Sequence, residues 1–127
     1  LDLTNFTGVP KGILLTGSDI VGTDTLDTAN VASILGACDD SLNQNGIWSG
    51  TQDAGNQAMH NLDASNIYHT LDAGNGADRH IASVTEMSET RIRLNFSTVD
   101  SDAVDFGHLI ITEAPGGVAA AMMQQIV

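Results

Sequence analysis

An α+β fold is what this sequence predicts, on three observations. The stretch 27–38 repeats its large apolar residues at helical spacing, 91–99 alternates them strictly, and 118–127 has helix-forming composition. The expected organisation is a small single domain, 1–127: a strand plus a helix over 1–45, a polar arm over 46–80, an antiparallel β-meander of three strands or more over 81–113, and a helix over 116–127.

At the start, Gly8, Pro10, Gly12 and Gly17 surround the run Ile13-Leu14-Leu15, which reads as a short buried strand between turns. The next element is the expected helix. Val31, Ile34, Leu35, Cys38 and Leu42 fall on one stripe, with Asp27 or Thr28 as N-cap, and Asp39, Asp40 and an Asn45-Gly46 turn mark its end. Gly36 within that stripe costs about 1 kcal/mol relative to Ala, tolerable where another backbone packs closely.

Residues 46–80 are polar and rich in Asn and Gly. Thr51-Gln52-Asp53-Ala54-Gly55-Asn56 returns as Thr70-Leu71-Asp72-Ala73-Gly74-Asn75, with a fainter copy at Asp63-Ala64-Ser65-Asn66. Two clear copies are too few for a solenoid, and the pattern suits Asx-type turns, in which the Asp carboxylate accepts a backbone N–H two residues on.

Alternation is clearest in Arg91–Val99, where Ile92, Leu94 and Phe96 share one face and Arg91, Arg93, Asn95 and Ser97 the other. A hairpin loop at Ser88-Glu89-Thr90 sets Val84 opposite Leu94 and Ala82 opposite Phe96, with Thr85 meeting Arg93 and Ser83 meeting Asn95. A second reversal over Asp100–Asp105 sets Phe96 against Leu109 and Leu94 against Ile111, so strands at about 80–87, 91–99 and 106–113 make the meander. After Pro115-Gly116-Gly117, the segment Val118–Val127 aligns Val118, Met122 and Ile126 as a closing helix.

Sixteen acidic residues, thirteen of them Asp, face four basic ones, for a formal charge of −12. Such a chain repels phosphate backbones and anionic lipid surfaces, so neither nucleic acid nor membrane is an expected partner. A chain of this length buries about 65% of its unfolded surface, enough for a core without metals or disulfides. Lone Cys38 makes no intrachain bridge and reads as a core thiol, and no apolar stretch approaches a membrane span.

Candidate chemistry is sparse. His60, His69 and His80 lie among Asp53, Asp63, Asp72 and Asp78, residue types that ligate divalent ions, but their spacings fit no metal signature; they read as solvated loop histidines. His108 falls on the polar face of its strand beside Ser97, as a surface pair. Asp100-Ser101-Asp102 and Asp105 resemble the start of a calcium loop, yet position six is Asp105 rather than Gly and position twelve is Ile111 rather than Glu. Ser49 in Gly46-Ile47-Trp48-Ser49-Gly50 stands one place off a nucleophile elbow. Lys11-Gly12 and Gly74-Asn75-Gly76 lack the rest of a nucleotide-binding loop. Glu86, Glu89 and Glu113 mark out no acid pair, and Trp48 reads as a single core or interface anchor. No catalytic, metal or cofactor residues are therefore expected, and no cofactor.

The function these features predict is non-enzymatic: a structural protein that forms symmetric arrays with itself or with a larger protein lattice. An Asp/Asn/Thr/Ala/Gly-rich chain almost free of Lys resembles, in general character, small structural proteins of tailed phages from saline habitats. That implies a virion component such as a capsid decoration protein, placed in a virion or extracellular assembly. The alternatives are a carbohydrate- or Ca²⁺-binding module using the polar middle segment, and a hydrolase with a nonstandard Asp/His site.

Overall fold

The computed structural model describes residues 1–18, 32–52, 57–71, 77–99, 105–113 and 119–126. Those residues form ten strands: β1 (Asp2–Leu3), β2 (Val9–Ser18), β3 (Ala32–Asp39), β4 (Gln44–Gln52), β5 (Gln57–Asp63), β6 (Tyr68–Leu71), β7 (Asp78–Met87), β8 (Ile92–Thr98), β9 (Asp105–Glu113) and β10 (Ala119–Ile126). They pair antiparallel in two sheets, ordered β1-β8-β7-β6 and β10-β9-β2-β3-β4-β5. Strands β2 to β5 follow one another as neighbours in the larger sheet. The chain then crosses to build β6, β7 and β8 in the smaller sheet, and returns so that β9 lies beside β2.

This is an all-β architecture, and it overturns the expected α+β fold: the described residues contain no helix. The stretch read as a helix over 27–38 is strand β3 from Ala32 onward, while 27–31 lie outside the described residues. The expected Asn45-Gly46 turn is inside β4. The C-terminal helix over 116–127 is instead β10, paired with β9 along Ala119–Ile126, and 116–118 and 127 lie outside the described residues. The polar arm over 46–80 carries β4, β5 and β6. The third meander strand, β9, pairs with β2 and β10 rather than with β8, so Phe96–Leu109 and Leu94–Ile111 are not pairs.

Two expectations hold. Ile13-Leu14-Leu15 lies in strand β2, and the β7–β8 hairpin has the predicted pairs Val84–Leu94, Ala82–Phe96 and Ser83–Asn95. Arg93, however, pairs with Glu86, because a bulge leaves Thr85 over.

The core lies between the sheets. Ile13, Leu15, Ile34, Cys38, Trp48, Phe106 and Ile110 from the larger sheet meet Leu3, Tyr68, Ala82, Val84, Ile92 and Leu94 from the smaller one, with Ile67 buried just ahead of β6. The Tyr68 ring stands 6.3 Å from Phe96 and 6.0 Å from Phe106, which ties the two layers together. Gly36 and Gly46 let the sheets approach: a Cβ on Gly36 would collide with the Ile67 carbonyl, and one on Gly46 would stand 2.9 Å from it. A second tie is polar. Val84 N–H donates to Gln44 Oε1 at 2.7 Å and Gln44 Nε2 donates to Val84 O at 3.2 Å. Both Val84 groups face the side where β6 has already ended, so the Gln44 carboxamide takes the place of a neighbouring strand.

Candidate functional site

Because side chains alternate along each strand, every inward residue of the larger sheet has an outward neighbour. In this sheet several outward neighbours are large and apolar. Leu62 of β5 pairs with Ile47 of β4, and Ile47 with Leu35 of β3, so the three form one row across the sheet's outer face. They are 68%, 49% and 56% exposed, against 1% for Trp48 next along β4. Leu14 and Ile111 add to the same face, and Leu109 is half-buried beside Leu14. Exposed apolar groups scattered singly are ordinary, whereas this row is contiguous across three neighbouring strands.

The row has neighbours of low relief. On one side run Ser49 and Ser33, whose hydroxyls bond to each other at 3.0 Å; on the other lies Ala37, opposite Asn45. Among the described side chains, the carboxylates and Lys11 on this face collect at one end of the strands. Lys11 Nζ stands 3.2 Å from Asp40 and 3.3 Å from Glu113, and these two hydrogen bonds hold its ammonium above the ordinary lysine range. The Asp39 carboxylate accepts from Asn43 Nδ2 and from the N–H groups of Asn43 and Ser41, which lowers its pKa.

The histidines expected as solvated loop residues are all on strands. His60 is exposed on β5, but His80 is buried on β7, where its Nδ1 lies 3.2 Å from Thr70 Oγ1. His69 on β6 is the one that gathers carboxylates. Its Nδ1 is 2.6 Å from Asp63 Oδ2 and its Nε2 2.9 Å from Asp78 Oδ1. Asp63 also accepts from Ser65 N–H at 2.8 Å, in an Asx turn, and from Asn66, whereas the Asx turns expected at Asp53–Asn56 and Asp72–Asn75 lie outside the described residues. Burial opposes the imidazolium charge, but hydrogen bonds to Asp78 and Asp63 outweigh it and raise the His69 pKa. Burial likewise opposes the Asp63 charge, and the bonds from Asn66, Ser65 and His69 outweigh it and lower the Asp63 pKa.

An imidazolium donating from both nitrogens has no lone pair for a metal or a proton. The arrangement is a clasp between the end of β5 in one sheet and β6 and β7 in the other. Among the described residues no group of three or more His, Cys, Asp or Glu could hold a metal ion. Asp53, Asp72, Asp100, Ser101, Asp102 and Gly74-Asn75-Gly76 lie outside the described residues.

His108 corrects the predicted surface pair with Ser97. It points into the core, opposite Leu15 and Gln124 in register, and burial lowers its pKa. Its Nδ1, with Trp48 Nε1 and His80 Nε2, meets no partner among the described residues. Cys38 is buried, as predicted, though on a strand; burial and then the Asp39 charge push its thiol up to about 11, far from a nucleophile's range. Ser49 spends its hydroxyl on Ser33. Glu86 bonds Arg91 through Oε2 at 2.7 and 2.9 Å, and Arg93 grips Asp2 at 2.8 and 3.1 Å, so these groups join β7, β8 and β1.

What the sequence reading missed is the row Leu35–Ile47–Leu62. The available signal is the apolar doublet: Leu14-Leu15, Ile34-Leu35, Ile47-Trp48 and Ile110-Ile111 each place one large residue on either face of a strand. In comparisons with known proteins, no family model, no curated protein and no solved structure matches this chain.

Proposed function

We propose that the protein is a non-enzymatic structural subunit that associates with copies of itself or with a larger protein lattice, in a virion or extracellular assembly. The observation that carries this reading is the exposed apolar row Leu35–Ile47–Leu62 on the outer face of the six-stranded sheet. A surface of that kind is stabilised by being covered. Two features agree with it. His69, the histidine with the most polar partners, is occupied at both ring nitrogens by carboxylates, and the charge of −12 keeps subunits soluble before they assemble. A capsid decoration protein is the particular setting that the Asp- and Asn-rich, Lys-poor composition suits.

Light scattering over a wide concentration range, combined with negative-stain microscopy, tests the reading. Concentration-dependent association is the expected result, and a concentration-independent monomer that no lattice recruits would overturn it. A melting temperature raised by Ca²⁺ or a glycan would favour the binding-module alternative, since a native-only site at 100 times its Kd adds about 2.7 kcal/mol.

A further inference from the structure

We infer that the self-contact is isologous, made by the outer face of the six-stranded sheet against the same face of a second copy. This rests on the assembly reading and names its surface and partner. The first argument is size. Strands β5, β4, β3, β2 and β9 give a face about 24 Å by 26 Å, roughly 600 Å² in projection and more in accessible surface. That matches the about 800 Å² per partner of a standard interface.

The second argument is charge. Two chains of −12 repel over most orientations, but the described outward residues in the middle of this face carry no carboxylate. Among the described side chains the nearest carboxylates, Asp39, Asp40 and Glu113, sit at the strand ends, two of them around Lys11. A partner of opposite charge would call for complementary carboxylates on the face, and an identical chain calls for their absence there.

The third argument is relief. The row Leu35–Ile47–Leu62 is a ridge beside the low pair Ser33 and Ser49, whose hydroxyls bond to each other, with His60 continuing that second row on β5. A two-fold axis lying in the interface plane, parallel to the ridge and midway between it and the second row, lays the ridge of each copy against the second row of the other.

Sedimentation equilibrium of the full chain, wild type against Ile47→Asp and Leu35→Asp, tests this. Both substitutions point away from the core, so buried Trp48 fluorescence and the melting temperature report that the fold is kept. The expected result is a reversible dimer whose Kd rises at least about 100-fold in either variant. A multimer unaffected by both substitutions overturns this assignment and leaves assembly by another surface standing. A concentration-independent wild-type monomer overturns both readings. As a measurement independent of variant stability, Ser49→Cys treated with a bismaleimide gives a covalent dimer, while Glu89→Cys at the far β7–β8 turn stays monomeric. Equal yields at the two positions, or none at Ser49→Cys, overturn the inference. Native Cys38 is buried and does not compete.

Discussion

Gly36 and Ile67 meet backbone to backbone across the sandwich, so closely that a Cβ on Gly36 has no room against the Ile67 carbonyl. Ile67 is fully buried and its N–H bonds to Ala82 O at 3.1 Å, so it cannot retreat without breaking into the smaller sheet. Gly36→Ala is therefore expected to destabilise by about 3 kcal/mol or more. Gly107→Ala, whose Cβ would meet only Thr16 at 3.7 Å and beyond, is expected to stay within about 1 kcal/mol of wild type. Urea denaturation of the two variants checks the contrast; equal midpoints would overturn it.

His69 and His108 give stability opposite dependences on pH. The folded pKa of His69 is raised, so its contribution is complete below its unfolded value of about 6.5 and is lost as pH climbs through the folded value. That of His108 is lowered, so its contribution is present above about 6.5 and is lost as pH falls through the folded value. The deficit of His69→Gln is thus expected to be larger at pH 5.5 than at pH 8, by roughly 1 kcal/mol. His108→Leu should look best relative to wild type at pH 5.5. Denaturant midpoints at both pH values decide it, and parallel profiles for the three proteins would sink the assignment.

Gln44 stands in for a strand beside Val84. Replacing it with Leu leaves a backbone N–H and C=O unpaired at a part-buried site, at an expected loss of about 1–3 kcal/mol. Amide exchange offers a local readout: Val84 N–H should lose protection in Gln44→Leu while Leu94 N–H, bonded to Leu1 O at 2.8 Å, keeps its own.

Leu42 sits at φ 64° in the β3–β4 turn, where its N–H bonds to Asp39 O at 3.1 Å. A left-handed conformation is unfavourable for Leu and free for Gly, and the three-residue turn ending in such a residue is a common hairpin form. Leu42→Gly is expected to raise stability by about 0.5–1 kcal/mol, read as a higher melting temperature.

The β7–β8 register was legible because that hairpin has one apolar and one mixed face, so strict alternation survives in the letters from Ala82 to Phe96. Strand β3 was not, and the reason is physical. Ile34, Gly36 and Cys38 face the core while Leu35 faces out, so apolar residues on both faces blur a period of two into something like a helical stripe. The misreading has the same origin as the proposed contact surface. In β9 the inward set includes His108 and Thr112 while Ile111 faces out, so polarity pointed to the wrong face. Ala119–Ile126 has the composition of a helix, and pairing with β9 overrides that preference. The Asp63–His69–Asp78 clasp gathers residue types the sequence singled out, but its geometry depends on the crossing from β5 to β6, which spacing alone does not encode.

The larger sheet is closed by β2 against β9, pairing Val9 with Glu113 and Ser18 with Asp105. Its halves are thus joined by residues near opposite ends of the chain, and the loop entropy of bringing them together is met before their contacts reward it. Folding of the chain should be slow, in the millisecond-to-second range or beyond. In that interval the early hairpins β2 to β5 present apolar residues on both sides to whatever else is in solution.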